Sequence, residues 1–409
     1  MAIGIVSLAA FAPRDPLAGA PLAPAKSPRM AGDGTSSILD GLATVLAVAG
    51  YFVGTLLWFG WGRENHLPLL RGFAYWLILI AALLLETTVH ECGHALVGIA
   101  FDMRLRIFIV GPFQWRIRDG RWTFQFNIAK LFFSGGAAGV VSANPAQPRW
   151  HEICMIAAGP LASLFTGLVA LVAVITAPGS SYEQAWEFLA MVSTFGLVAF
   201  AVNLIPFKPE SLYSDGARIY QLLSGGPWSD LHRALSIVRS TLVTPLRPRD
   251  YDIAAIQRAS LSFARGRQAL LLRMFASSHF LDSGKLHEAR ESFAQAESIY
   301  HESASDIPVE LYTAFVFDSA YLRQDAPAAR FWWDLMESKK PTHLGVDYWL
   351  ARSALFWIEN HPQEAREAWN KTNTLAQNLP SAGTYEFDRY LVGLLGAALD
   401  RPLATIQQA

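Results

Sequence analysis

The chain has 409 residues, of which 52% are hydrophobic and only 16% charged, an apolar excess that is high for a purely soluble protein. A formal net charge of −1 offers no basic block for phosphate neutralisation, which argues against a nucleic-acid partner. Two cysteines cannot build a disulfide framework.

Residues 1–37 are rich in Ala, Pro and Gly, lack periodicity and read as a disordered tail. The apolar start at 3–11 has no basic residue before it and makes a poor signal peptide, and Met30 is an alternative start. Residues 41–60 carry no charge and end at Trp58 and Trp61, as a first membrane span with an interfacial anchor does. Residues 72–101 form a second span of roughly 45 Å as a helix, longer than the hydrocarbon core. Residues 153–178 and 188–207 read as the third and fourth spans. Arg14, Lys26 and Arg29 lie in the tail, and Arg104, Arg106, Arg116, Arg118, Arg121, Lys130 and Arg149 between spans two and three. Only Arg63 and Arg71 occupy the other two loops, so the positive-inside rule puts both termini and the 102–150 loop in the cytoplasm.

That loop alternates. Phe113, Trp115 and Ile117 interleave with Gln114, Arg116 and Arg118; after the turn signal Asp119-Gly120, Trp122, Phe124 and Phe126 interleave with Thr123, Gln125 and Asn127. The pattern predicts a β-hairpin within 104–127, with 104–110 as a candidate third strand. Two roles stay open: a structural hairpin with its apolar face on the membrane surface, or an edge strand that pairs with an extended substrate.

The chemistry concentrates at His90-Glu91-Cys92-Gly93-His94, inside span two. His90 and His94 are four apart, so both imidazoles leave one helix face and can converge on one metal ion. This is the H-E-x-x-H zinc pattern, with Glu91 as general base. Cys92 points to the opposite side and reads as packing, whereas Glu86, one turn before His90, reads as a second-layer partner or a solvated group. A catalytic zinc needs a third protein ligand. Span three leaves the cytoplasmic side and span four returns, so a residue just after span four is back at the depth of the histidines. The segment Ser214-Asp215-Gly216 lies there.

H-E-x-x-H in a span, Ala158-Gly159-Pro160-Leu161 opening the next, and Asn203-Leu204-Ile205-Pro206 ahead of Asp215-Gly216 resemble the intramembrane zinc metalloproteases of the site-2 protease family. The resemblance covers about residues 70–220, including the hairpin and the Gly-rich Ser134-Gly135-Gly136. It implies one zinc ion held by His90, His94 and Asp215, Glu91 as the catalytic residue, and Asn203 contacting substrate near the scissile bond. The interval from Asn203 to Asp215 is longer than the compact Asn-Pro-Asp-Gly of many members. Gly159 reads as a close-packing position between helices.

Beyond Leu222 the pattern turns to amphipathic helices. Ala289, Phe293 and Ala296 share a face after Gly284, and the offsets recur at Ala329, Trp333 and Met336 and at Ala365, Trp369 and Thr372. The expected fold is mainly α: a membrane-embedded bundle over 38–222 with a small β-hairpin, a linker at 223–251, and a cytoplasmic helical repeat domain at 252–409 that resembles degenerate tetratricopeptide repeats. The function implied is a zinc endopeptidase in a bacterial inner membrane, with single-span membrane proteins as substrates and a regulator on the repeats. A metal-binding scaffold without proteolysis and a metal transporter are the alternatives. Intact Glu91 argues against the first, and the near-absence of ionisable residues inside spans one, three and four argues against the second.

Overall fold

Proline sets two of the span limits, and the computed structural model describes residues 36–70, 72–118, 120–128, 135–206, 213–303, 309–341 and 344–400. The tail and start-site readings, Arg71, Asp119, Lys130, Ser134 and residues 207–212 lie outside them. Helix dominates, with one four-stranded sheet, and the chain divides into two compact units. Of the described residues, one unit joins 36–141 to Gln147–Ser224, and the other holds 225–400 with Ser142–Ala146.

In the first unit, four helices are long and apolar enough to cross a membrane: Val45–Glu64 within α1 (Ser36–Glu64), α2 (Phe73–Ala100), α3 (Arg149–Ile175) and α4 (Trp186–Leu204). Several limits shift from the sequence reading: α1 runs on to Glu64, so that Arg63 belongs to the helix and not to the loop, and proline sets two of the others. Helix α3 begins at Arg149, directly after Pro148, which supplies an extended entry but cannot continue a helix backwards. Helix α4 stops at Leu204 because Pro206 forces Ile205 into an extended conformation. The loop between α1 and α2 is pinned to the start of α4, where Trp186 Nε1 donates to the Pro68 carbonyl at 2.7 Å and Leu70 N–H donates to Glu187 at 2.9 Å.

The loop between α2 and α3 holds β1 (Met103–Val110), β2 (Phe113–Arg118), β3 (Arg121–Phe126) and β4 (Gly136–Ser142), in the order β3-β2-β1-β4. The expected hairpin and third strand are present, with Phe113, Trp115 and Ile117 opposite Phe126, Phe124 and Trp122 on one face. Trp122, Phe124 and Phe126 remain exposed there. Strand β4 was not expected. Its Gly136-Ala137-Ala138-Gly139 start has low strand propensity, and small residues at this edge answer a different need, described below.

The second unit begins with α6 (Gly226–Ser240), after the short α5 (Asp215–Ser224) of the first. The expected linker at 223–251 is therefore structured over much of its length: Trp228, Leu231, Leu235 and Val238 of α6 are buried. Helices α7 (Ile253–Ser262), α8 (Gly266–Asp282), α9 (Leu286–Ser303), α10 (Val309–Phe317), α11 (Ala326–Ser338), α12 (Val346–Ile358), α13 (Pro362–Gln377) and α14 (Gly383–Leu399) follow. The pairs α8–α9, α10–α11 and α12–α13 pack closely. Ala289, Phe293, Ala296, Ala329, Met336, Ala365 and Thr372 are all completely buried.

The turns inside the three pairs repeat the same backbone state. Gly284, Gln324 and Asn360 each adopt positive φ (75°, 55° and 61°), each five residues before the small buried alanine of the following helix. A serine of the first helix donates to that alanine's carbonyl in two pairs, Ser277 to Ala289 and Ser353 to Ala365. The middle pair has Phe317 at the corresponding place and turns through a π-helical segment, Asp318–Leu322.

Asp318 is a carboxyl in an apolar interior, and burial pushes it up to about 7. The unfolded chain ionises it near 4, so between these pH values unfolding releases a proton. Stability is fully present below about pH 4 and falls as pH rises towards 7. Asp318→Asn should flatten that slope and stabilise the second unit at pH 8 by an amount on the order of 4 kcal/mol. Urea unfolding of the intact chain at pH 5 and pH 8, followed by tryptophan fluorescence, measures it; an unchanged slope would contradict the assignment.

Candidate metal centre

Helix α2 presents Ala82, Glu86, His90, His94 and Gly98, each four residues from the next, along one stripe. Helix α3 presents Met155, Gly159, Ser163 and Gly167 at the same interval, all buried. The stripes face each other in opposite directions. His94 Nδ1 lies 2.9 Å from the Met155 carbonyl and His90 Nδ1 lies 3.0 Å from Ser163 Oγ. Farther along, Ala82 and Ala170 share one core cluster.

Small residues make this approach possible. A Cβ at Gly93 would collide with the Ala158 carbonyl, and one at Gly159 would fall on the His94 imidazole. Gly159 thus packs closely, as expected, but what it accommodates is the His94 ring itself. Pro160 lacks the N–H that would bond to the Ile156 carbonyl and crowds that turn of α3. The neighbouring Met155 carbonyl is the one that receives His94.

Asp215 begins α5, and its place is fixed from both sides. Ser214 Oγ donates to the Ile205 carbonyl at 2.6 Å, and Gly216 lies so close to the Leu204 carbonyl that no side chain would fit. Asp215 Oδ2 then lies 3.2 Å from His90 Nε2 and 3.4 Å from His94 Nε2, and the two imidazole nitrogens are 3.2 Å apart. Donors at about 2.0–2.1 Å from a tetrahedral zinc stand roughly 3.3–3.4 Å from one another, so this triangle has the size of one face of such a shell. The donor set of two imidazoles and a carboxylate also suits zinc. Burial by itself would raise the Asp215 carboxyl, but hydrogen bonds with both imidazoles, with the Arg218 guanidinium 4.0 Å away, hold it well below the usual carboxylate range.

Glu91 is buried next to this group. The Ala138 N–H of β4 hydrogen-bonds to its carboxylate, and Gly136 lies directly under its side chain, where any Cβ would overlap it. The small residues of β4 therefore bring backbone against the carboxylate. Asn203 behaves differently. Its amide donates to the Ala199 carbonyl of its own helix at 3.0 Å, and among the described residues no hydrogen bond joins it to the histidines or Asp215. Cys92 is partly buried and unpaired as a thiol. The sequence reading missed Ser163 and β4; the i, i+4 series through Gly159 was the available signal for the first.

Residues 78–185 match the sequence model described as Peptidase family M50, the site-2 protease family. The matched stretch contains His90, Glu91, His94, Gly159 and Ser163 and ends before Asn203 and Asp215. With the four apolar helices, it supports a membrane metalloprotease. No curated protein and no solved structure matches the chain.

Because Gly159 gives the His94 ring its space, Gly159→Ala should displace that ring and reduce zinc retention by at least about 10-fold while the helical content persists. Gly60→Ala, at a position with nothing within 4 Å, is the control and should retain zinc as the parent does. Bound zinc after dialysis, read beside the circular dichroism spectrum, decides; unaltered retention in Gly159→Ala would contradict the packing argument.

Proposed function

We propose that the protein is an intramembrane zinc endopeptidase that hydrolyses peptide bonds of single-span membrane proteins, as in regulated intramembrane proteolysis. The observation that carries this reading is the buried triangle of His90, His94 and Asp215 with Glu91 at its side. One zinc ion held by these three residues would supply Lewis acidity towards the scissile carbonyl and make water a nucleophile near neutral pH. Glu91 accepts the proton of the attacking water and returns it to the departing amine. The Ala138 N–H keeps the Glu91 carboxylate aimed while it changes charge. Asp215 would contribute the negative charge that balances the metal, and Asn203, two residues before the extended Ile205, is the proposed contact to substrate near the cut.

A helical peptide bond has its carbonyl engaged and its edges shielded, so a substrate must unwind locally; Gly, Pro or polar breakers near the cut favour this. The excess of Lys and Arg between spans two and three supports a cytoplasmic position for that loop and for both termini, in a bacterial inner membrane. The paired helices of the second unit are proposed to be tetratricopeptide-like and to offer a surface for a regulator or a substrate tail. A non-proteolytic scaffold is not favoured, since it leaves the buried Glu91 and its strand partner without a task.

Glu91→Gln should keep zinc and lose cleavage of a panel of single-span substrates in liposomes, by roughly 10²–10⁴-fold. Equal cleavage by parent and variant would refute the assignment of the base. Asp215→Ala should lose zinc and cleavage together, and full activity in that variant would remove Asp215 from the ligand set.

A further inference from the structure

Glu86 is a carboxylate in the middle of a membrane helix, 3% exposed; neither of its oxygens makes a hydrogen bond of full geometry among the described residues, and the donor that approaches it is Ser163. An ionisable group so placed is costly, and it persists where it serves a site. The groups within its electrostatic reach are few: Ser163 and His90 in the seam between α2 and α3, and Tyr51 of α1. Among the described residues no lysine or arginine is recorded as interacting with it.

Ser163 stands between the carboxylate and the metal centre. It is completely buried, and its Oγ lies 3.0 Å from His90 Nδ1. For Nε2 of His90 to present a lone pair to a metal, the ring proton must be on Nδ1, and it is then donated to Ser163 Oγ. A hydroxyl that accepts this bond still has its own hydrogen to give. Serines in helices often return that hydrogen to a carbonyl one turn back, but Ser163 makes no such bond. The unfilled acceptor facing it is Glu86. His94 has a different arrangement, since its Nδ1 is held by a backbone carbonyl that no substitution of a side chain removes.

We propose that Ser163 and Glu86 form a relay, Nδ1–H of His90 to Ser163 and O–H of Ser163 to Glu86, that fixes the His90 tautomer and tightens metal binding. Both are positioning residues. The inference rests on His90 being a metal ligand, as the preceding reading has it. Metal-ligating histidines are commonly held through their second nitrogen by a carboxylate, and here a serine is inserted between the two.

The test uses the full chain in detergent, loaded with zinc alone and then challenged with a chelator while zinc release is followed by an indicator dye. Ser163→Ala and Glu86→Gln should each speed release by about 10-fold or more, and the double variant should be no faster than Ser163→Ala. Thermal unfolding of the metal-free proteins separates positioning from scaffolding: Glu86→Gln keeps the shape of the side chain, removes the cost of a carboxylate buried in a membrane helix, and should melt at or above the parent temperature. Release rates equal to the parent's, or effects that multiply in the double variant, would overturn the relay with zinc binding intact. A metal-free Glu86→Gln that melts well below the parent would reassign Glu86 to structure. A parent chain that binds no zinc would instead bring down the metalloprotease reading, and the relay with it.

Discussion

Everything in the first unit depends on two helices meeting along a seam of period four. In a bilayer no water is available to satisfy polar groups, and apolar side chains gain little by leaving lipid, so helices associate through close backbone approach and through hydrogen bonds. The facing stripes of α2 and α3 supply both at once. Gly93 and Gly159 allow the approach, and the depth gained is filled by imidazoles whose second nitrogens are tied to α3. The candidate metal centre is thus the packing interface itself, and a change that loosened the helices would also misplace its imidazoles.

The remaining parts of the centre reach this seam from opposite directions in the sequence. Asp215 arrives because Pro206 ends α4, and the backbone beyond it is clamped by Ser214 and by the contact of Gly216 with Leu204. Strand β4 arrives from the other side of α3 in the chain and meets Glu91 with backbone. Two segments about 75 residues apart in the sequence thereby flank one helix face, each admitted by a glycine. Arg218 follows Asp215 at the next turn of α5 and adds a cation on the side away from the histidines.

How much of this could be read beforehand depended on whether the signal lay in side-chain chemistry or in shape. The four spans and the hairpin came from hydrophobic runs and alternation. Asp215 came from counting crossings and from the family resemblance, and in the structure its Oδ2 lies 3.2 Å and 3.4 Å from the two imidazole nitrogens. Ser163 was passed over because a single serine in an apolar helix is ordinary, and only its place four after Gly159 and eight after Met155 sets it apart. The 223–251 stretch was expected to be a linker; in the structure Gly225, Gly226 and Pro227 open α6, where a proline in the first turn is favourable. In the second unit, Gly284 and Asn360 advertise left-handed turns, whereas Gln324 occupies the same conformation with nothing in its chemistry to announce it.

Strand β4 carries this distinction furthest. What it gives Glu91 is an amide hydrogen, which every residue except proline possesses, together with an empty volume at Gly136. The information held at these positions is therefore about what must be missing. A search for reactive side chains finds half of such a centre; the other half is written in the smallness of residues that do no chemistry.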